Sequence, residues 1–402
     1  MSHQPMTYLK DALTARAGEF IALRRDIHQN PELPFEEHRT SALVARKLKE
    51  WGYAVEHGVG GTGVVGTLTR GSGDKRLGLR ADMDALPVLE TNGLPWASQK
   101  TGVMHACGHD GHTAMLLAAA RHIAEGVDFH GTLNLIFQPA EESAGGALRM
   151  IEEGLFDRYP CDAVFAMHNY PGIPQGHVVM RSGAMMASSD YATVTLTGVG
   201  GHGAMPQNTV DPVVAGAAII MALQTVVSRN VDPRETAVVT VGSMRSGQAN
   251  NVIPEQAILE IGVRAVDRDV RALLEKRVQA IIRAQAESFG VQASIDWRHG
   301  YPVLVNSESE TQFAFDTACQ LLGADSVTRQ GPSITASEDF AFMLERIPGS
   351  YFLIGNGAAG TPGACMVHHP NYDFNDDNIA VGSALWVAIV NGFLGRSNQA
   401  ES

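Results

Sequence analysis

The sequence predicts an α/β protein built in two parts, a domain with a mostly parallel sheet flanked by helices and an inserted ferredoxin-like α+β unit. Three observations carry that expectation. At 402 residues the chain is longer than one ordinary core accommodates. From Arg76 onward, short apolar runs alternate with helical periodicity, the pattern of parallel strands joined by covering helices. Between Ser188 and Gly300 the order becomes βαββαβ, that of a small sandwich. The expected domains are therefore residues 1–187 with 301–402, interrupted by 188–300.

Taken in order, Tyr8 to Ile27 has helical periodicity, and the breaker Asn30-Pro31-Glu32-Leu33-Pro34 separates it from a second helix, Glu37 to Trp51, stopped by Gly52. Leu77 to Ala81, Thr132 to Phe137 and Ala163 to Met167 read as buried strands, with a helix from Thr113 to Ala124 between the first two. In the insert, Tyr191 to Thr197 alternates as a strand does. Asp211-Pro212 then supplies an N-cap and a first-turn proline for a helix to about Asn230. Ala237 to Val241 and Ala257 to Val266 follow as strands, Asp267 caps a helix to Phe289, and Gln292 to Trp297 closes the unit. Two glycine runs, Gly58 to Gly63 and Gly198 to Gly203, match the spacing of a dinucleotide fingerprint. Neither opens a helix, and both read as turns.

Hydrophobic residues make up 45% of the chain and charged residues 18%, which fits a folded globular protein. Thirty basic residues against 43 acidic ones leave a net charge of -13, and no basic run offsets it, which argues against a nucleic-acid partner. Cys107, Cys161, Cys319 and Cys365 lack the spacing of a disulfide framework, so a reducing compartment is expected. Met1 to Lys10 is polar and shows no signal-peptide pattern. The longest apolar run, Val213 to Leu223, falls short of the ~20 residues that span a bilayer. The expectation is a soluble, cytoplasmic protein with no membrane partner.

The segment Met104-His105-Ala106-Cys107-Gly108-His109-Asp110-Gly111-His112 concentrates a thiol, three imidazoles and a carboxylate at the start of a helix. Any one of these alone is usually a packed or surface side chain. Here further donors recur at strand ends: Asp82 and Asp84 after the first strand, Glu141 and Glu142 after the second, His168 after the third. Ligands of open α/β sheets bind outside those ends. Cys107, His109, Glu142, His168 and one of His368 or His369 make five donors, more than one ion uses and suited to two divalent ions with a shared water. Mixed N/O/S donors admit Mn²⁺, Zn²⁺, Co²⁺ or Ni²⁺. Of the adjacent Glu141 and Glu142, one can hold metal while the other acts as general base; the bland reading is a solvated pair at a helix start.

Seven segments then occur in a fixed order: Leu79-Arg80-Ala81-Asp82-Met83-Asp84-Ala85-Leu86-Pro87, Met104 to His112, Gln138 to Glu142, Met167-His168-Asn169, Gly200 to Pro206, Asn251-Val252-Ile253-Pro254 and Ser337-Glu338-Asp339-Phe340. Together they resemble the M20 metallopeptidase superfamily, in the amidohydrolase branch of hippurate hydrolases, N-acyl-L-amino-acid amidohydrolases and plant auxin-conjugate hydrolases. The resemblance runs from about Arg25 to Phe393. It implies a catalytic domain holding two metal ions and an inserted lid domain that often dimerises, hence a homodimer or dimer-based oligomer. By motif it implies Cys107, His109, Glu142 and His168 as ligands, Glu141 as general base and Asp84 as a carboxylate ordering the metal shell. Register favours His368 over His369 as the last ligand. His202, Asn251 and Arg264 are implied or compatible substrate-contacting residues. Pro34 and Gln207 stand where the family commonly has Gly and His.

The expected activity is metal-dependent hydrolysis of the amide of a small N-acyl amino acid, of hippurate or N-acetyl type. A dipeptidase, an N-acetyl-diaminopimelate deacetylase, an auxin-conjugate hydrolase and a catalytically silent relative are the alternatives.

Overall fold

The apolar runs of the first part of the chain build one sheet of eight strands. Its order is Ala54–Val59, Gly63–Arg70, Gly131–Gln138, Arg76–Asp82, Ala163–Pro171, Gly349–Gly357, Val178–Val179 and Val327–Thr328. The central four strands are parallel. The hairpin at one side and Val178–Val179 at the other join antiparallel, so the sheet is mixed, with parallel pairing through its centre as the sequence predicts. The hairpin explains the first glycine run: Gly58, Gly60 and Gly61 all have positive φ and turn Ala54–Val59 back onto Gly63–Arg70. The computed structural model describes residues 6–395. Residues 1–5 and 396–402, the outer ends of the expected larger domain, lie outside the described residues.

The first helical stretch is two helices, Met6–Thr14 and Ala17–Gln29, not one. The Cys/His segment opens a helix at His109 rather than Thr113, and this helix, His109–Gly126, is buried along most of its length, as is Asn378–Leu394. Leu77, Leu79, Leu116, Phe165 and Trp386 belong to the core that these helices share with the sheet. The strand expected to stop at Met167 continues to Pro171, because Gly349–Gly357 pairs along its whole length. His168 therefore sits within a strand and not beyond one.

The described residues form two compact units, 6–183 with Val305–Pro332 and 342–395, and Ala184–Leu304 with Ser333–Ala341. The second carries an antiparallel sheet in the order Ala237–Ser246, Gln256–Ala265, Asp190–Thr197, Gln292–His299. Helices Pro212–Asn230 and Arg268–Ser288 contribute Ile219, Leu223, Leu274, Val278 and Ile282 to its core. This is the βαββαβ arrangement of a ferredoxin-like sandwich. Asp211 and Asp267 cap the two helices, each accepting two backbone N–H groups. Ser333–Ala341 falls in this unit although 301–402 was expected to belong wholly to the other. The Ala187 N–H, donating to the carbonyls of Ile334 and Ala336, ties it there.

Helix Pro212–Asn230 outruns the apolar stretch read from sequence. Among the described residues it is the one helix long and apolar enough, by length and composition, to cross a membrane. Ala215, Ile219, Leu223 and Val226 are buried along one side, as in a core helix. Val214 and Met221 on the other side are 51% and 71% exposed, leaving a bare apolar face.

Candidate metal centre

Parallel pairing brings the strand ends together. Asp82 stands opposite Gln138 in register, so Asp84 and the Glu141-Glu142 pair leave neighbouring strands side by side. The Glu142 N–H donates to Asp84 Oδ2 at 2.9 Å. Asp84 Oδ1 lies 3.1 Å from His109 Nδ1, fixing that imidazole at the first turn of its helix. The turn before it needs Gly108: φ is 91°, and a Cβ there would lie 2.3 Å from Asn169 Nδ2 and 2.4 Å from the Tyr372 hydroxyl.

Of five donor groups among the described residues, three join the expected ligands and base: Cys107, His109 and His168; Cys107, Glu142 and His368; His109, Glu141 and Glu142. Within each, one donor atom per residue lies within 4.8 Å of the others. Cys107 Sγ is 3.3 Å from His168 Nε2, and His368 Nε2 is 3.1 Å from Glu142 Oε1. His369 points elsewhere, its Nδ1 accepting the Asn371 N–H and lying 3.4 Å from Cys365 Sγ. Of these two adjacent imidazoles, His368 is the one beside Glu142.

Residues left unassigned by sequence hold this cluster. His112 Nδ1 is 2.6 Å from Asp82 Oδ1, and its Nε2 accepts the Asn169 N–H at 3.0 Å, so both ring nitrogens are used. Arg80 donates to Asp82 at 2.6 Å and to Gln138 at 2.8 Å. Asn169 Nδ2 donates to the Cys107 carbonyl at 2.7 Å, and its Oδ1 accepts from Tyr372 at 2.6 Å. The only sequence signal for Asn169 is its place beside His168 in a motif segment; Tyr372 gave none.

The electrostatics fit a bound cation. Burial pushes the Cys107 thiol well above its ordinary range, and the carboxylates of Glu142, Glu141 and Asp82 push it further. Burial pulls His109 down, but Asp82 and Asp84 more than reverse this and raise it to about 10. Burial, with His112 beside it, holds His168 well below its usual value. The centre is an acidic nest with soft and imidazole donors at its rim. His109 Nε2 is buried there without a hydrogen-bond partner among the described residues, while Nδ1 is held by a carboxylate. That carboxylate–imidazole arrangement is how proteins present a histidine to a metal.

Residues 78–392 match the sequence pattern of peptidase family M20/M25/M40. The chain belongs to this family. Its relatives in the M20 family include the hippurate hydrolase of Campylobacter jejuni, 43% identical over 377 residues that cover 94% of this chain and 97% of the relative. An N-acetyl-L-cysteine deacetylase of Bacillus subtilis is 41% identical, over 92% of this chain and 87% of the other. Among solved structures, the Bacillus subtilis YXEP protein, described as a dinuclear metal binding peptidase of the M20 family, superposes with a TM-score of 0.81. It is 31% identical and covers 95% of this chain and 99% of its own. As an M20 member of this branch the protein is a metal-dependent amide hydrolase.

The remaining expected residues stand in the second unit. His202 pairs opposite Val252 in a short ladder, and the Gly203 N–H donates to the Asn251 carbonyl at 2.8 Å, so the His202 and Asn251 loops are neighbours. Arg264 Nη1 donates to the Thr335 carbonyl at 3.2 Å and to Ser337 Oγ at 3.3 Å, holding the segment 335–337.

Proposed function

We propose that the protein hydrolyses the amide bond of small N-acyl amino acids, of hippurate or N-acetyl type, releasing a carboxylic acid and a free amino acid. The observation that carries this reading is the buried His109 Nε2, 3.8 Å from Asp82 Oδ2 and without a hydrogen bond, among Cys107, His168, Glu141 and Glu142, in a chain that matches a hippurate hydrolase nearly end to end. Cys107, His109, Glu142, His168 and His368 are assigned as ligands of two divalent ions, Mn²⁺ or Zn²⁺ first and Co²⁺ or Ni²⁺ as substitutes. Asp84 orients His109. Ions held there supply Lewis acidity toward the substrate carbonyl and acidify water.

Glu141 is assigned as general base. Its carboxylate takes a proton from water as the oxygen bonds to the carbonyl carbon, then delivers that proton to the amide nitrogen as the C–N bond breaks. His202 and Asn251 are assigned to substrate recognition. Arg264, whose guanidinium has donors beyond the Nη1 that holds 335–337, is assigned to a substrate carboxylate. Residues 188–300 serve as the lid and dimerisation domain in this reading, and 1–187 with 301–402 as the catalytic domain. A second copy is the proposed occupant of the bare face of Pro212–Asn230. The strand Ala237–Ser246 lies at the sheet edge in the same unit, and a two-fold copy would extend the sheet there. Four free cysteines support a reducing, cytoplasmic location.

The second reading, deacetylation of an N-acetylated sulfur amino acid, is favoured by the 41% identity to the N-acetyl-L-cysteine deacetylase. One experiment tests the shared reaction, and with N-acetyl-L-cysteine in the panel beside hippurate the faster substrate chooses between the two readings. Chelated protein is expected to be inactive on a panel of hippurate, N-acetyl amino acids, dipeptides and auxin conjugates, and to regain turnover of N-acyl amino acids on addition of Mn²⁺ or Zn²⁺. Turnover unaffected by chelation, or confined to dipeptides, would remove the proposal.

A further inference from the structure

Three non-glycine residues have left-handed backbone among the described residues: Phe35 at φ 63°, Ala140 at φ 53° and His368 at φ 66°. An L-residue stays in that conformation only when its surroundings hold it there. Two of the three share one anchor. Glu37 Oε1 accepts the Phe35 N–H at 3.0 Å and the Ala140 N–H at 2.8 Å, while the Thr62 hydroxyl donates to Oε2. Glu37 is fully buried. It stands at the N-cap position of helix His38–Glu50 yet its side chain makes no cap bond. That work falls to Glu32, which accepts the Arg39 and Thr40 N–H groups at 2.9 Å each.

Ala140 is the pivot between strand Gly131–Gln138 and the Glu141-Glu142 pair. The Gly146 N–H donates to its carbonyl at 3.0 Å, and a Cβ at Gly146 would lie 1.8 Å from the Pro139 oxygen, so the chain doubles back tightly. The direction in which Glu141 leaves this turn depends on the sign of φ at Ala140.

We propose that Glu37 is a positioning residue for the hydrolysis: by accepting the Phe35 and Ala140 amides together, it holds the left-handed turn that aims Glu141 at the reacting centre. This rests on the reading of Glu141 as general base. A carboxylate oxygen accepts two amides at once, and its loss leaves the Ala140 N–H buried without a partner and the residue able to relax to negative φ. Misplacing a reacting group by about 1 Å costs on the order of 10²-fold in rate.

The test compares Glu37→Ala, Glu37→Gln, Glu37→Asp and Glu141→Gln, each loaded with Mn²⁺. It reads kcat, KM and bound metal on the fastest N-acyl amino acid of the panel. Glu37→Ala is expected to lower kcat about 10- to 100-fold with KM within about threefold and metal content unchanged. Reach and charge then part company. Gln retains an acceptor oxygen at full length and is expected to keep most of kcat, whereas Asp retains the charge one methylene short and is expected to lose it. Ala140→Gly added to Glu37→Ala is expected to recover part of kcat, because glycine takes positive φ without being held. A wild-type kcat in Glu37→Ala, an order in which Asp outperforms Gln, absence of recovery by glycine, or a crystal structure of Glu37→Ala with Ala140 still near φ 53° would overturn the inference. Where Glu37→Ala does not fold, the Gln-against-Asp order decides. An active Glu141→Gln overturns the reading of the base itself, while an inactive one beside wild-type Glu37 variants overturns only the role of Glu37.

Discussion

At Cys107 burial and three carboxylates keep the thiol protonated until a cation takes up the surrounding negative charge. Cys107→Ala is therefore expected to lower the metal bound per chain, read by elemental analysis, with circular dichroism unchanged; full occupancy would strike this residue from the ligand set. The thiol and His109 were legible because they lie two residues apart in one short segment. His112, in the same segment, was not separable from His109 by spacing. Its two nitrogens are consumed by Asp82 and by the Asn169 amide, 30 and 57 residues away. Residue type announces a donor, but whether a donor has anything left to give depends on partners that only folding delivers.

At the scale of elements, local chemistry was legible where it is self-contained. Asp267 caps helix Arg268–Ser288 by accepting the Asp269 and Val270 N–H groups at 2.9 Å each. Asp267→Ala is expected to cost about 1 kcal/mol in denaturant unfolding, and Asp267→Asn only a fraction of that. A loss shared equally by both would contradict a capping role. Strands Arg76–Asp82 and Gly131–Gln138 were found within a residue at each end, because apolar runs bounded by turn residues are a local signal. Gly349–Gly357 was not, although it is buried throughout. With two polar residues and three glycines among its nine, it shows no alternation, and its identity as a strand comes from its neighbour Ala163–Pro171.

Across the larger unit, His28 links helices through charge. Burial lowers its pKa, but the Asp110 carboxylate at 2.8 Å and Glu90 at 3.1 Å outweigh both burial and the opposing charge of Arg24, and raise it to about 9; the His105 ring lies nearby, tilted by 38°. A histidine raised from 6.5 gives its full stabilisation below that ordinary value and loses it as the pH climbs through about 9. The thermal midpoint is expected to fall over this window and to fall less in His28→Gln; parallel profiles would show that His28 does not govern the loss. In the other unit, Met221→Lys on the bare face of Pro212–Asn230 is expected to yield folded monomers by light scattering where the unaltered protein is a dimer. A monomeric unaltered protein would end the dimer proposal.

Contiguous periodicity and short motifs were enough to read the α/β class, the ferredoxin-like order of the insert and the residue types of the metal centre. The antiparallel flanks of the large sheet, the place of Ser333–Ala341 in the second unit, the approach of His368 rather than His369 to Glu142 and the anchoring of Ala140 by Glu37 came only with tertiary contacts. Those depend on contacts between residues tens to hundreds of positions apart, and no local pattern encodes which distant group will occupy a given hydrogen-bonding site.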